Sequence, residues 1–114
     1  MGITVHKSFF TSRDDALRDI LAEGTWPATA LSPPHEGLPI HSHKTTLNVY
    51  VIEGTTDIFD EDSGETYWVE PGDKLVIPAG TRHAEGQVPE KMVYVLGLGD
   101  CLMLEDAIEQ IECV

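Results

Sequence analysis

The chain has 114 residues, 41% hydrophobic and 24% charged, which fits one globular domain and excludes a disordered tail or a fibre. Seven basic residues against twenty acidic ones leave a net charge of −13, so the chain lacks the clustered Lys and Arg that neutralise phosphates, and no nucleic-acid or membrane partner is expected. No apolar run approaches the ~18–20 residues of a membrane-spanning helix.

Residues Met1 to Lys7 lack a basic segment followed by a long apolar one, so no secretory signal is read there. The expectation is a cytoplasmic protein whose Cys101 and Cys113 are free thiols. A disulfide between them stays open, should the C-terminal segment fold back.

In chain order, Ile3 to Phe9 reads as a short strand. Ser12 can cap a following helix, and Asp15 completes a capping box with a shorter acid. Leu17, Ile20 and Leu21 recur at helical spacing until Gly24 stops the helix. Trp26 to Ser32 is strand-like, and Pro33-Pro34-His35-Glu36-Gly37 is a turn. Short strands then follow closely: Thr46 to Ile52, Thr56 to Phe59, Thr66 to Val69, Lys74 to Ile77, His83 to Val88 and Met92 to Leu98. Such spacing points to an all-β barrel or sandwich. Leu104, Ala107, Ile108 and Ile111 predict a second helix near the C-terminus. The acids Asp57, Asp60, Glu61, Asp62 and Glu65 lack calcium-loop spacing and read as a solvated hairpin.

His41 and His43 form a His-x-His pair. On an extended chain alternate side chains share a face, so both imidazoles point one way, as two ligands of one metal would. His83 follows a strand bracketed by Gly72 and Gly80. His6 and His35 read as bystanders, and Arg82 reads as a solvated turn residue or an anion-attracting group at a barrel mouth. Cys101 and Cys113 have no adjacent His or basic neighbour to lower a thiol pKa, so they read as packing residues.

These residues resemble the cupin family. Pro39-Ile40-His41-Ser42-His43 through Val49-Tyr50-Val51-Ile52-Glu53-Gly54 is similar to the first cupin motif. Gly72 through Pro78-Ala79-Gly80-Thr81-Arg82-His83 to Gln87 is similar to the second, with Gln87 in place of the closing Asn. The resemblance runs over roughly residues 31–98. It implies an all-β fold, a double-stranded β-helix or jelly-roll barrel, and does not explain the short N-terminal and C-terminal helices read from periodicity. The whole is expected as a single domain over 1–114, with the barrel core at about 26–98 and helices at about 13–23 and 102–112. The resemblance also implies a homodimer, as cupins of this size pair through edge strands.

The resemblance further implies that His41, His43 and His83 gather inside the barrel around a divalent metal ion, with Fe, Zn, Ni, Cu and Mn all open. The family's motif-one Glu falls on Leu47, or on Asn48 counting one residue further, with strand alternation favouring Leu47; neither is a carboxylate, so the usual three His plus one Glu becomes three His. Glu85, two residues after His83 on the same strand face, is a further carboxylate candidate. Alternation along the strand sets Leu47, Val49 and Val51 on the inward face, and with Val95 they are assigned as the substrate pocket wall. The expected function is that of a metal-dependent, oxygenase-like enzyme on a small organic molecule, with the three-His site resembling that of thiol-dioxygenase cupins. The alternative is a non-catalytic module that binds a small ligand with or without metal.

Overall fold

The computed structural model describes residues 2–98. Its elements are β1 (Thr4–His6), α1 (Arg13–Ala22), β2 (Trp26–Ser32), β3 (Leu38–His41), β4 (Leu47–Glu53), β5 (Thr56–Asp60), β6 (Glu65–Val69), β7 (Lys74–Ile77), β8 (His83–Glu85) and β9 (Met92–Leu98). The helix read over 102–112, with Cys101 and Cys113, lies outside the described residues.

The strands form two antiparallel sheets, with orders β1-β7-β4-β9-β2 and β3-β8-β5-β6. Alternation along each strand sends one set of side chains between the sheets. Leu47, Val51, Ile58, Val69, Leu75, Ile77, Val88, Met92, Leu96 and Leu98 meet there as the main core. Packed on the other face of the five-stranded sheet is α1, where Phe10, Ala16, Ile20, Tyr50 and Val95 make a second core. The fold is that of an all-β double-stranded β-helix. Among the described residues, no helix is long and apolar enough to cross a membrane.

Local chemistry sets the boundaries. Ser12 caps α1 by accepting from the Asp15 N–H, and Asp15 in return accepts from the Thr11 N–H at 3.2 Å. The box therefore reaches one residue further back than the sequence suggests. β1 stops short of Phe9 because Ser8 turns the chain at φ 51°, its N–H held by Asp73 Oδ1 at 3.0 Å. Gly54 closes β4 at φ 91°, and an added Cβ would stand 2.1 Å from the Lys91 carbonyl oxygen, so no other residue fits that turn.

The acidic hairpin departs from its expected solvation at one position. Asp60 is fully buried, with its carboxylate accepting from the Ile3 N–H at 2.9 Å and the Asp62 N–H at 3.0 Å. Burial pushes its carboxyl pKa up, but these backbone donors outweigh burial and hold it below the usual range. Asp60 thus ties the N-terminal segment onto the end of β5.

Candidate metal centre

The His-x-His pair sits where β3 runs out. His41 is the last residue of that strand, and His43 follows it just beyond, outside regular structure. Across the sheet, His83 opens β8 and is the direct antiparallel partner of His41. Cross-strand partners share a face, so both rings enter the barrel together. Their centroids are 4.4 Å apart, and the His43 ring lies 5.3 Å from each of them. One nitrogen from each ring falls within 4.8 Å of the other two.

Two backbone carbonyls set the chemistry of these rings. The Nδ1 of His41 lies 2.8 Å from the Pro39 carbonyl oxygen, and that of His83 lies 2.9 Å from the Thr81 carbonyl oxygen. A carbonyl can only accept, so each Nδ1 carries a hydrogen, and in the neutral ring Nε2 keeps its lone pair. Both contacts are to the residue two positions back, a local geometry that the extended chain supplies. Burial pulls the His83 pKa below its usual value, against the pull of its Thr81 hydrogen bond, and so favours the neutral ring. Neutral imidazoles oriented through Nδ1–H are what a divalent ion requires of histidine ligands.

Glu85 stands beside this group and outside it. It faces into the barrel, with Oε2 3.8 Å from the His41 Nε2. The mutually close ligand atoms found among the described residues are those of His41, His43 and His83. Burial pushes the Glu85 carboxyl pKa up, with His41 and His35 acting against it. On the opposite sheet, Tyr94 also faces in, and burial raises its phenol pKa, with the Glu85 charge adding to the shift.

The cavity next to the histidines has a volume of about 60 Å³. Leu47, Val49 and Val51 line it, together with Leu75, Tyr94 and Leu96. Leu47, the favoured position of the motif's Glu, is buried and lines the cavity with hydrocarbon instead of a carboxylate.

Val95 does not line the cavity. It packs with Tyr50 under α1, on the outer face of the sheet. The register explains the correction: β4 and β9 pair Tyr50 with Val95, Val51 with Tyr94 and Val49 with Leu96. Partners share a face, so the even-numbered residues of β9 turn inward. Periodicity within β9 marks two faces and cannot say which is inside. Tyr94, Leu96 and Met92 are the β9 residues that the sequence reading missed. The remaining candidates lie elsewhere. His35 is half-buried and its Nδ1 accepts the Gly37 N–H at 3.0 Å, His6 is exposed, and Arg82 pairs with Glu61 at 3.0 Å on the surface.

Residues 29–96 match the family model described as the cupin domain, and the chain belongs to that family. No curated protein sequence matches it. Among solved structures, it is similar to a DUF861 family protein from Thermotoga maritima at 20% identity and a TM-score of 0.57, covering 84% of this chain and 98% of that one. It also resembles the DMSP lyase DddQ from Ruegeria pomeroyi, at 22% identity and a TM-score of 0.54 over 66% of this chain and 38% of the lyase. The polyketide cyclase RemF from Streptomyces resistomycificus aligns at 25% identity and a TM-score of 0.50, over 70% of this chain and 60% of the cyclase. The chain thus spans well under two thirds of the lyase. These likenesses show a shared barrel.

Proposed function

We propose that this cupin holds one divalent transition-metal ion through His41, His43 and His83 and acts with it on a small organic molecule, as an oxygenase-like enzyme. The observation that carries this reading is the pair of Nδ1–H donors tied to the Pro39 and Thr81 carbonyls, which leaves the Nε2 lone pairs for an ion. Such an ion supplies Lewis acidity and, if it is iron, copper or manganese, redox chemistry as well. The chain supplies three converging imidazoles, two of them oriented by backbone carbonyls, a largely hydrocarbon wall, and Glu85 beside the centre. The named activities of the lyase and the cyclase favour small-molecule chemistry in such a barrel without specifying the reaction here.

The test is elemental analysis of protein purified without an affinity tag, followed by oxygen uptake with thiols, diketones and catechols. The reading expects near one metal ion per chain and turnover on at least one class. Stoichiometric metal with no turnover on any class would leave a ligand-binding module. We also infer a homodimer: among the described residues β2 forms a sheet edge, and its Trp26 and Leu31 are 58% and 61% exposed. Light scattering of the parent and of Leu31→Lys checks this, with a shift to monomer expected in the variant.

A further inference from the structure

A buried carboxylate stands behind the histidines without a counter-charge of its own. Asp60 ends β5, and the strand register sets it opposite His83. Direct antiparallel partners share a face and hold their Cβ atoms ~4.5–5.5 Å apart, so this carboxylate and this imidazole leave the sheet side by side. Alternation agrees, since Thr56, Ile58 and Asp60 are the buried residues of β5. Glu85 lies on the cavity side of the histidines, whereas Asp60 does not line the cavity.

Both oxygens of Asp60 are engaged. The Ile3 N–H donates to Oδ2 at 2.9 Å and the Asp62 N–H to Oδ1 at 3.0 Å. One N–H on each oxygen is the pattern that an ionised carboxylate accepts. An added Cβ on Gly2 would stand 2.5 Å from Oδ2, so the N-terminal chain closes directly over the group. Asp60 is fully buried beneath it.

Elsewhere the chain answers such a carboxylate with a cation. Asp73, also buried, is met by the Lys7 ammonium, and Asp19 under α1 is met by Lys74. Among the described residues no Lys or Arg reaches Asp60, and backbone N–H groups alone meet its charge. A buried charge without a partner is costly. The place it adjoins is the one a dication would occupy, where Leu47 supplies no carboxylate.

We propose that Asp60 is a positioning residue of the metal centre, a fixed anion that offsets the ion's charge from behind His83 without touching the ion. The proposal rests on the three-histidine metal reading and adds to it the missing negative charge. It also gives the N-terminal segment a part in the site, because Gly2 and Ile3 hold that carboxylate in place.

Two ions of different charge separate an electrostatic role from a scaffolding one, because Coulomb energy scales with the ion's charge. Zinc(II) and, without oxygen, copper(I) are titrated into the parent and into Asp60→Asn, with affinity expressed per folded chain. Zinc(II) should bind the variant about thirtyfold more weakly, within the ~10–100-fold range for residues that support a metal ligand. Copper(I) should weaken only about fivefold, roughly the square root of the zinc effect. A second measurement uses the parent alone. Nuclear magnetic resonance compares its cobalt(II)-loaded and zinc(II)-loaded forms. The Asp60 carboxyl carbon and the Ile3 amide proton should move strongly between the two, and the Asp19 carboxyl carbon far less.

Equal losses for the two ions would make Asp60 a structural residue only and overturn the proposal, as would an unchanged zinc affinity. Either result leaves the three-histidine reading standing. Cobalt-induced shifts at Asp60 no larger than those at Asp19 would overturn the proposal too, even where Asp60→Asn does not fold. Failure of the parent to bind any of the three ions would remove the metal reading, and the role of Asp60 with it.

Discussion

Two faces of the five-stranded sheet bury polar groups, and they do so in opposite ways. On the outer face, Lys74 lies beneath α1. Its Nζ is 2.6 Å from Asp19 Oδ2 and 2.5 Å from Glu23 Oε1, and the Tyr50 hydroxyl donates to the same Asp19 oxygen at 2.5 Å. The ammonium also lies 4.9 Å from the centre of the Phe9 ring and 5.3 Å from that of Tyr50. Every charge there meets an opposite charge from the chain itself. Burial pulls the Lys74 pKa down, but Asp19 and Glu23 outweigh it and hold the ammonium above its usual value. Burial likewise pushes Asp19 up, and the Lys74 and Tyr50 hydrogen bonds overturn that and hold it low. One ammonium answers two carboxylates, so each charge is paired within the chain although one negative charge remains, and the cluster holds the helix on the barrel.

Across the barrel interior, three imidazoles converge with their lone-pair nitrogens close together. No ammonium or guanidinium lines that cavity among the described residues. The contrast teaches where to look for function. A polar cluster whose charges are paired within the chain holds structure, while one that gathers nitrogen donors is where the proposed ion would bind.

Breaking each cluster should therefore give separable effects, and the largest belongs to the histidines. His83→Ala should weaken metal binding by more than about a hundredfold, beyond the ~10–100-fold cost of losing a supporting residue. Elemental analysis after dialysis against a weak chelator measures this. The fold should persist, because His83→Ala strands no charge.

Lys74→Ala should do the reverse. It leaves Asp19 and Glu23 facing each other beneath α1, and should cost about 2–3 kcal/mol. That is less than the ~3–5 of a fully buried pair, because the Glu23 side chain is 41% exposed. Urea unfolding measures the loss, and metal content per folded chain should not change.

Lowering the pH separates the clusters in a single sample. Asp19 and Asp60 both titrate below the usual carboxylate range. Their stabilisation is present above the unfolded value of ~3.9 and is lost as pH falls through the lower folded values. His83 carries a lowered imidazole pKa as well. Below the unfolded value of ~6.5, the unfolded ring takes up a proton that the folded ring resists, so metal-free protein loses some stability from there downward. Urea midpoints against pH should fall in two steps, below about 6.5 and again below about 4. The bound ion should shift the first step to lower pH and leave the second in place.

Glu85→Gln should have the smallest effect. The carboxylate stands beside the histidine group, so metal affinity should change less than about tenfold, the lower edge of what a supporting residue costs. A larger loss would make Glu85 a ligand and would sharpen the contrast in another direction, since the inner cluster would then carry charge compensation of its own.

Much of this was legible in the residues. His41, His43 and His83 stand at motif spacing, and the inward turn of Leu47, Val49 and Val51 follows from counting along one strand. Their place in the cavity needed the paired sheets. The side chains that finish the picture were not legible, because each depends on a partner far along the chain. Tyr94 and Leu96 face in and Val95 faces out because β9 registers on β4 some forty residues earlier in sequence. Asp60 is buried because the Ile3 N–H reaches it. Lys74 opens a strand in the sequence, and only the fold brings Asp19 and Glu23 of the α1 segment over it.

What the sequence determined by itself is local: the helix cap at Ser12, the strand periods, the turn glycines and the ligand-type residues with Leu47 in the acidic slot. The tertiary structure alone decided which face of β9 meets the cavity, how large that cavity is and which buried charges are paired. Periodicity is a property of one strand, whereas facing, volume and pairing arise only when strands distant in the chain are set in register.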